Sequence, residues 1–283
     1  MYFCDNYSLA VCFCVITMLC WGSWGNTQKL AGRTWRYELF YWDYVIGVLV
    51  FALVSGLTAG SFGGGSWSFL GNLMQASVGN LASAFVGGVV FNAANILLAA
   101  AISIAGMAVA FPLGVGLSLV LGTIINYIGE PKGNPILLFA GVVLIVLAII
   151  CSAFASAKKN EQKTKGSVKG LLIAAGAGIA MSLFYRFVAA AMDVNDFASP
   201  MAGKVTPYTA IVLFSVGVLI SNLIFNTLLM KRPFVGEPVT YRQYFTGSAK
   251  SHLIGMFGGA IWCLGTAFSY IASEQAGPAI SYA

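Results

Sequence analysis

Charge is the scarcest property of this sequence: Asp, Glu, Lys and Arg together make up 8% of its 283 residues. An average soluble domain carries about 25% charged residues, so a water-facing globular surface is excluded. Disorder is excluded as well, because it needs low hydrophobicity and 59% of this chain is apolar. Histidine is nearly absent, His252 being the one copy, and none of the six cysteines forms a Cys-x-x-Cys pair. A zinc site thus lacks its usual ligands and no disulfide framework is expected. Neither a metal nor a cofactor is anticipated. The thiols read as small packing residues between helices. No Lys or Arg precedes Lys29, so the first apolar run has no basic n-region and reads as a retained helix, not a signal peptide.

Nucleotide motifs are missing too. Gly176-Ala-Gly-Ile-Ala-Met181 lacks the third glycine of a dinucleotide fingerprint, and Gly63-Gly64-Gly65 is not followed by Gly-Lys-Ser/Thr. Gly63-Gly64-Gly65 reads as an outer connecting loop. Without an ATP site, any transport would draw on ion gradients. No catalytic constellation or large soluble region is present, which argues against an enzyme or a receptor scaffold.

What the chain has is apolar length. A bilayer is spanned by about 20 apolar residues in a helix, and eight such runs fall near 8–26, 41–60, 82–103, 107–128, 135–157, 170–191, 207–230 and 252–273. The expected fold is therefore an all-α polytopic membrane protein. The net charge of +6 resides in the loops, so it speaks for membrane orientation and not for nucleic acid. Lys29, Arg33 and Arg36, then Lys158, Lys159, Lys163, Lys165 and Lys169, then Lys231, Arg232, Arg242 and Lys250 follow the odd-numbered spans, against only Lys132 and Lys204 after the even ones. The positive-inside rule then predicts cytoplasmic odd loops and an N-terminus outside the cell (inner) membrane.

An internal repeat is visible. Residues 85–112 align with 256–283 at an offset of 171 without a gap, matching Gly87, Gly88, Ala101, Ala105, Gly106 and Ala108 to Gly258, Gly259, Ala272, Ala276, Gly277 and Ala279. Each copy is an apolar helix, an Ala/Gly turn and the start of another helix. In the first copy these are the third and fourth of five spans, and an odd number of spans per unit inverts the second unit, as in many secondary transporters. The expected organisation is a first five-helix repeat over 1–157, a basic cytoplasmic loop over 158–169, and an inverted second repeat over 170–283. If the units match in length, about 45 residues would lie beyond Ala283, completing a ninth span and adding a tenth.

Several polar or aromatic residues sit where lipid makes them costly. Trp21 and Trp24 are i, i+3 on the first span, with Gln28 continuing that face. Asn92 and Asn95 are i, i+3 near the middle of the third. Aromatic rings with amides suit a planar polar solute or a sugar, by stacking and paired hydrogen bonds. Interfacial anchoring of the tryptophans and helix–helix glue by the asparagines are the alternatives. Trp262 matches Phe91 in the repeat and joins the expected site. Arg186 is the only basic residue well inside a span; it either serves gating or substrate binding, or snorkels outward and pairs near Asp193, ~10 Å further along its face. Gln28, Asp43 and Glu274 are the candidates for coupling or gating, the last two, at span ends, being the carboxylates available for a proton, while Asn126, Asn222 and Asn226 read as glue. The partners expected are a small polar solute, a coupling ion (proton) and the lipid bilayer.

The helix arrangement resembles the drug/metabolite transporter superfamily, built as five plus five inverted helices. The turns AISIAGMAVAFPL at 101–113 and ASEQAGPAISYA at 272–283 look like its joint between third and fourth helices. WGSWGNTQKL at 21–30 with ELFYWDYVIG at 38–47, GKVTPYTA at 203–210, and RPFVGEP at 232–238 running on to Tyr244 resemble the ureide permease branch, near the glucose/ribose uptake group. The resemblance implies an importer of ureide or nucleobase heterocycles such as allantoin and uracil, or of monosaccharides, working by alternating access. Drug or metabolite efflux on the same fold is the alternative; a mid-membrane acid expected of a lipophilic-cation exporter is missing from the spans.

Overall fold

A computed structural model describes residues 2–32, 35–62, 68–159 and 168–283. Arg33, Gly63-Gly64-Gly65, Lys163 and Lys165 lie outside the described residues, as does most of the expected 158–169 loop. The regular elements of the described residues are helices: α1 (Tyr7–Ser23), α2 (Gly25–Leu30), α3 (Tyr37–Leu57), α4 (Phe69–Gln75), α5 (Val78–Ala105), α6 (Met107–Gly129), α7 (Pro135–Lys159), α8 (Val168–Ala191), α9 (Pro207–Lys231), α10 (Tyr241–Phe245), α11 (Ala249–Ala276) and α12 (Pro278–Tyr282). Seven of these segments are long and apolar enough to cross a membrane, with α1 and α2 counting as one; Pro135–Cys151 of α7 is a shorter apolar stretch. The chain is a polytopic α-helical membrane protein.

Helix starts are set by side-chain caps that hydropathy does not register. Ser77 and Ser248 accept from Asn80 N and Ser251 N, and Thr206 accepts from Thr209 N, so α5, α11 and α9 begin three to four residues from the apolar edge or at it. α5 and α11 are both 28 residues long. Each ends at a glycine of positive φ, Gly106 at 84° and Gly277 at 83°, a conformation other residues adopt only with strain. The chain then enters α6 and α12 directly.

Packing places α5 against α8 and α9, α11 against α1 and α3, and α3 against α9, with α6 against α8 and α7 outside it. The closest approaches are glycines on carbonyls. A Cβ on Gly47 would overlap the Met256 carbonyl and one on Gly259 that of Tyr44; between α5 and α9, one on Gly217 would overlap Phe85 and one on Gly88 the Phe214 carbonyl. Such contacts let helix backbones meet, the main source of packing energy where lipid removes the hydrophobic drive.

The two ends of the bundle differ. At the basic end, Arg36 donates to the carbonyls of Val235 and Glu237 and pairs with Glu38, while Ser251 donates to Ala31 O. At the other end, Tyr2 N donates to Ala59 O, Tyr208 OH to Tyr2 O, and Lys132 to Glu274 O.

Candidate functional site

Trp21, Trp24, Asn95 and Trp262 meet around one cavity of about 90 Å³, which Ser118 and Tyr282 also line. Its walls come from α1, α5, α6, α8, α11 and α12. A second cavity of about 110 Å³ shares Trp24, Asn95, Leu98 and Phe111 with the first and adds Gln28, Tyr37 and Ser103, toward the basic end. Drug-sized ligands fill pockets of about 300–1,000 Å³, so these suit a small solute.

Trp262 is the centre of the aromatic wall. Its ring lies 4.5 Å from Phe91, 5.8 Å from Phe214 and 6.2 Å from Trp21, the last two nearly parallel to it. Trp21 Nε1 donates to Thr266 Oγ1 at 3.1 Å, and Thr266 donates to the Trp262 carbonyl at 3.0 Å. The Trp21 N–H is thereby used within the protein, and the indole is fixed in orientation. Trp24 packs on Tyr44 with ring centroids 4.6 Å apart. Its own N–H has no hydrogen-bond partner among the described residues, and the residue lines both cavities.

The amides form a network behind that wall. Tyr41 OH donates to Asn92 Oδ1 at 2.8 Å, and Asn95 Nδ2 donates to Tyr41 OH at 3.1 Å. Asn92 Nδ2 in turn donates to Ser221 Oγ at 2.9 Å and to Val218 O at 3.3 Å. Asn92 is fully buried in this helix-to-helix bond and lines neither cavity, so it reaches the site only through Tyr41. Tyr41, Ser118 and Tyr282 were not among the residues expected from sequence. Nothing in the spacing marks a tyrosine whose partners lie 51 and 54 residues away.

The remaining expected residues lie elsewhere. Arg186 rests against Gly129 at the end of α6, without an ion pair among the described residues and outside both cavities. Asp193 is engaged by the backbone N–H groups of Asn195 and Met201, so the pairing considered for Arg186 is not formed. Asp43 is 1% exposed near the basic end. It accepts from Tyr244 OH at 2.7 Å and from Trp35 Nε1 at 3.0 Å, and His252 Nδ1 lies 2.7 Å away. Burial and then the bond to Asp43 push the Tyr244 phenol well above its ordinary range. Glu274 sits at the other end of α11, accepting from Phe197 N at 2.9 Å while its Oε2 is buried without a partner. Asp43 and Glu274 thus sit toward opposite ends of the bundle, and neither lines either of these two cavities. Of the asparagines expected as glue, Asn226 donates to Glu38 O at 2.9 Å and Asn126 to Gly122 O at 2.8 Å; the Asn222 amide is buried with no partner among the described residues. No group of three His, Cys, Asp or Glu among the described residues could hold a metal.

The three sequence stretches singled out earlier have distinct jobs. Residues 21–30 line the cavities and dock on α11. The 232–238 loop receives Arg36, and Tyr244 beyond it seals Asp43. Residues 203–210 clamp the end opposite the basic loops: Asn72 donates to Lys204 O at 3.1 Å and accepts from Thr206 N at 2.9 Å, while Gln75 bonds Lys204 O and Gly203 N.

A membrane-spanning helix bundle around a small aromatic and amide cavity describes a transporter. The ureide permease family model matches residues 40–169 and 157–283, and the chain belongs to that family. It is 25% identical to Ureide permease 1 of Arabidopsis thaliana, over 99% of this chain and 89% of the relative. To Ureide permease 4 of the same plant it is 22% identical, over 98% of this chain and 86% of the relative. No solved structure matches the chain. These relatives are permeases and not enzymes. The efflux alternative gains no support from them.

Proposed function

We propose that this protein imports a small planar polar solute of the ureide or nucleobase kind, driven by an ion gradient, through alternating access between two inverted halves. The observation that carries the reading is the convergence of Trp21, Trp24, Asn95 and Trp262 on one cavity. Those residues come from both expected halves, where a transporter of this design binds its solute. The relatives' name, ureide permease, points to the same solute class.

Inversion is supported by the way helix contacts correspond. The offset of 171 carries Gly88 onto Gly259 and Phe85 onto Met256, and a shift of 170 carries Tyr44 onto Phe214 and Gly47 onto Gly217. The α5–α9 and α3–α11 contacts thereby become each other. The domain organisation of 1–157 and 170–283 follows from this reading. With the basic end cytoplasmic, the N-terminus is outside and the second cavity runs toward the cytoplasm from a cell membrane.

A monosaccharide carries a hydroxyl on nearly every carbon and needs a hydrogen-bonding partner for each. Of the polar side chains lining the first cavity, Trp21 is bonded to Thr266 and Ser118 and Tyr282 to each other, which leaves Asn95 and the indoles of Trp24 and Trp262 as the open polar contacts amid Phe91, Leu98, Phe111, Val115 and other apolar groups. That balance favours a flat heterocycle. Proton is the proposed coupling ion, with Asp43 and Glu274 as the buried carboxylates in reach of the two faces. Uptake of labelled allantoin, uracil, glucose and rhamnose by cells expressing the protein, with and without a protonophore, tests the reading. Accumulation of allantoin or uracil that collapses with the protonophore is expected; accumulation of a sugar alone, or of nothing despite surface expression, would overturn it.

A further inference from the structure

We propose that Tyr41 is a positioning residue that locks Asn95 as a hydrogen-bond acceptor, so that the cavity selects solutes presenting an N–H. The inference rests on the import reading above for the solutes it names. Its basis is donor and acceptor accounting along one chain of hydrogen bonds.

The chain starts at a group whose sense is fixed. A backbone carbonyl only accepts, so the Asn92 atom facing Val218 O, 3.3 Å away, is the nitrogen. Ser221 agrees: its hydroxyl proton goes to Gly217 O at 2.8 Å, leaving a lone pair for Asn92 Nδ2 at 2.9 Å. With the nitrogen turned to α9, the oxygen of Asn92 faces Tyr41. Tyr41 has one hydroxyl proton, and it is spent on that oxygen at 2.8 Å. Tyr41 can then only accept from its other neighbour, so the Asn95 nitrogen is held toward it at 3.1 Å. The carbonyl oxygen of Asn95 is left over. It has no hydrogen-bond partner among the described residues, and Asn95 lines both cavities.

An unlocked asparagine presents either end of its amide and accepts or donates as the ligand requires. The relay rooted in the main chain of α9 denies Asn95 that flip: its nitrogen, with one of its two N–H groups spent on Tyr41, stays on the Tyr41 side, and its oxygen is the end left open. Tyr41 is itself held in a stack of rings, 5.2 Å from Tyr37 and 5.4 Å from Tyr44. Removing its hydroxyl therefore removes the lock and leaves the ring in place.

The test is uptake of labelled uracil and labelled allantoin by cells expressing the protein, with unlabelled competitors. Thymine carries an added methyl on carbon and keeps both N–H groups; 1,3-dimethyluracil has methyls on both nitrogens. Thymine is expected to compete about as well as uracil, and 1,3-dimethyluracil at least about tenfold less well, since a buried acceptor left without its partner costs about that much. In Tyr41→Phe, at wild-type surface level, the gap is expected to shrink to less than about threefold. Adding Asn95→Asp to Tyr41→Phe is expected to restore it, because either oxygen of a carboxylate accepts. A merely structural role for Tyr41 would change the amount of uptake and not this ratio. Equal competition by thymine and 1,3-dimethyluracil in the wild type, or an undiminished gap in Tyr41→Phe, would overturn the lock while leaving the import reading intact. No uptake of either labelled solute would remove both.

Discussion

Gly259 of α11 lies on the backbone carbonyl of Tyr44 in α3, and Gly88 of α5 lies in the same way on the carbonyl of Phe214 in α9. A methyl group at either position would meet main-chain atoms that cannot swing aside. Overpacking of this kind costs about 1–3 kcal/mol. Gly88→Ala and Gly259→Ala are expected to lower the thermal midpoint of the purified protein by similar amounts. Gly176→Ala and Gly141→Ala, where a Cβ would meet nothing within 4 Å, are expected to leave it unchanged or raise it slightly. Equal midpoints for Gly259→Ala and Gly176→Ala would show that the close approach carries no packing energy.

Asp43 holds the basic end together through three neighbours from three different segments. In Asp43→Ala the Trp35 and Tyr244 donors lose their acceptor and His252 its buried partner, at a cost of about 3–5 kcal/mol. Tyr244→Phe removes one bond to a carboxylate, worth about 1.5–3 kcal/mol. Denaturation of detergent-solubilised variants is expected to rank them in that order below the wild type. A Tyr244→Phe protein less stable than Asp43→Ala would mean that the phenol, not the carboxylate, organises this end.

Tyr244 also gives a signed pH dependence. Its pKa in the folded protein is raised above the ordinary 10.0, burial being the main cause. Below pH 10 the phenol is protonated in both folded and unfolded chains, and its contribution to stability is complete. Above that pH the unfolded chain loses the proton first, so stability falls as pH rises. Tyr244→Phe is expected to show a shallower alkaline decline than the wild type in thermal scans from pH 8 to about 11, the range that brackets the phenol's ordinary ionisation. Identical slopes would place the titrating groups elsewhere.

The fold was largely legible because lipid imposes a length and a composition on every span. The expected run at 82–103 lies inside Val78–Ala105 and that at 252–273 inside Ala249–Ala276. The missing turns are polar starts, Ser77 and Ser248 with the residues after them, whose helicity comes from caps and not from hydropathy. The start of α3 was missed for a related reason: Tyr37-Glu-Leu-Phe precedes the apolar run and carries a charge, yet Glu38 is buried and paired with Arg36. α4 and α10 were invisible, being five to seven residues long. At the site, spacing alone put Trp21 and Trp24 on one face and raised Asn95. It gave Asn92 and Asn95 equal standing, because periodicity shows which residues share a helix face and not what stands opposite. Only the contact with Tyr41 separates the buried strut from the residue that lines the cavity. Arg186 drew attention by its charge; its place beside Gly129 depends on how α8 packs on α6, which no local pattern reveals.

The clamp at residues 203–210 is expected to govern stability and not solute affinity. Asn72→Ala removes the bonds to Lys204 O and Thr206 N, two buried polar contacts worth about 1 kcal/mol each. The purified variant is expected to melt earlier, with an unchanged KM for the solute that the wild type accumulates. A KM raised about tenfold, equivalent to about 1.4 kcal/mol of lost binding, would place this stretch in the solute path instead.

Arg186 and Trp262 offer the sharpest contrast between a conspicuous residue and a placed one. Arg186 is the intramembrane charge that sequence reasoning marks first, but its guanidinium lies against the last turn of α6 and away from both cavities. There it is aligned with the negative end of a helix, an arrangement worth about 0.3–1 kcal/mol near a surface. Trp262 carries no charge and is 5% exposed, yet four other aromatic rings pack on it around the cavity. Uptake by Arg186→Gln is expected to keep the wild-type KM within about twofold and to lose only the surface level that this small stabilisation supports. Trp262→Ala is expected to abolish uptake, because it empties the centre of the aromatic wall at a cost of about 3–5 kcal/mol. Trp262→Phe, which keeps a ring there, is expected to retain part of it. The comparison is made at matched surface expression. A large KM change in Arg186→Gln with Trp262→Phe unaffected would move the solute site from the cavity to the end of α6.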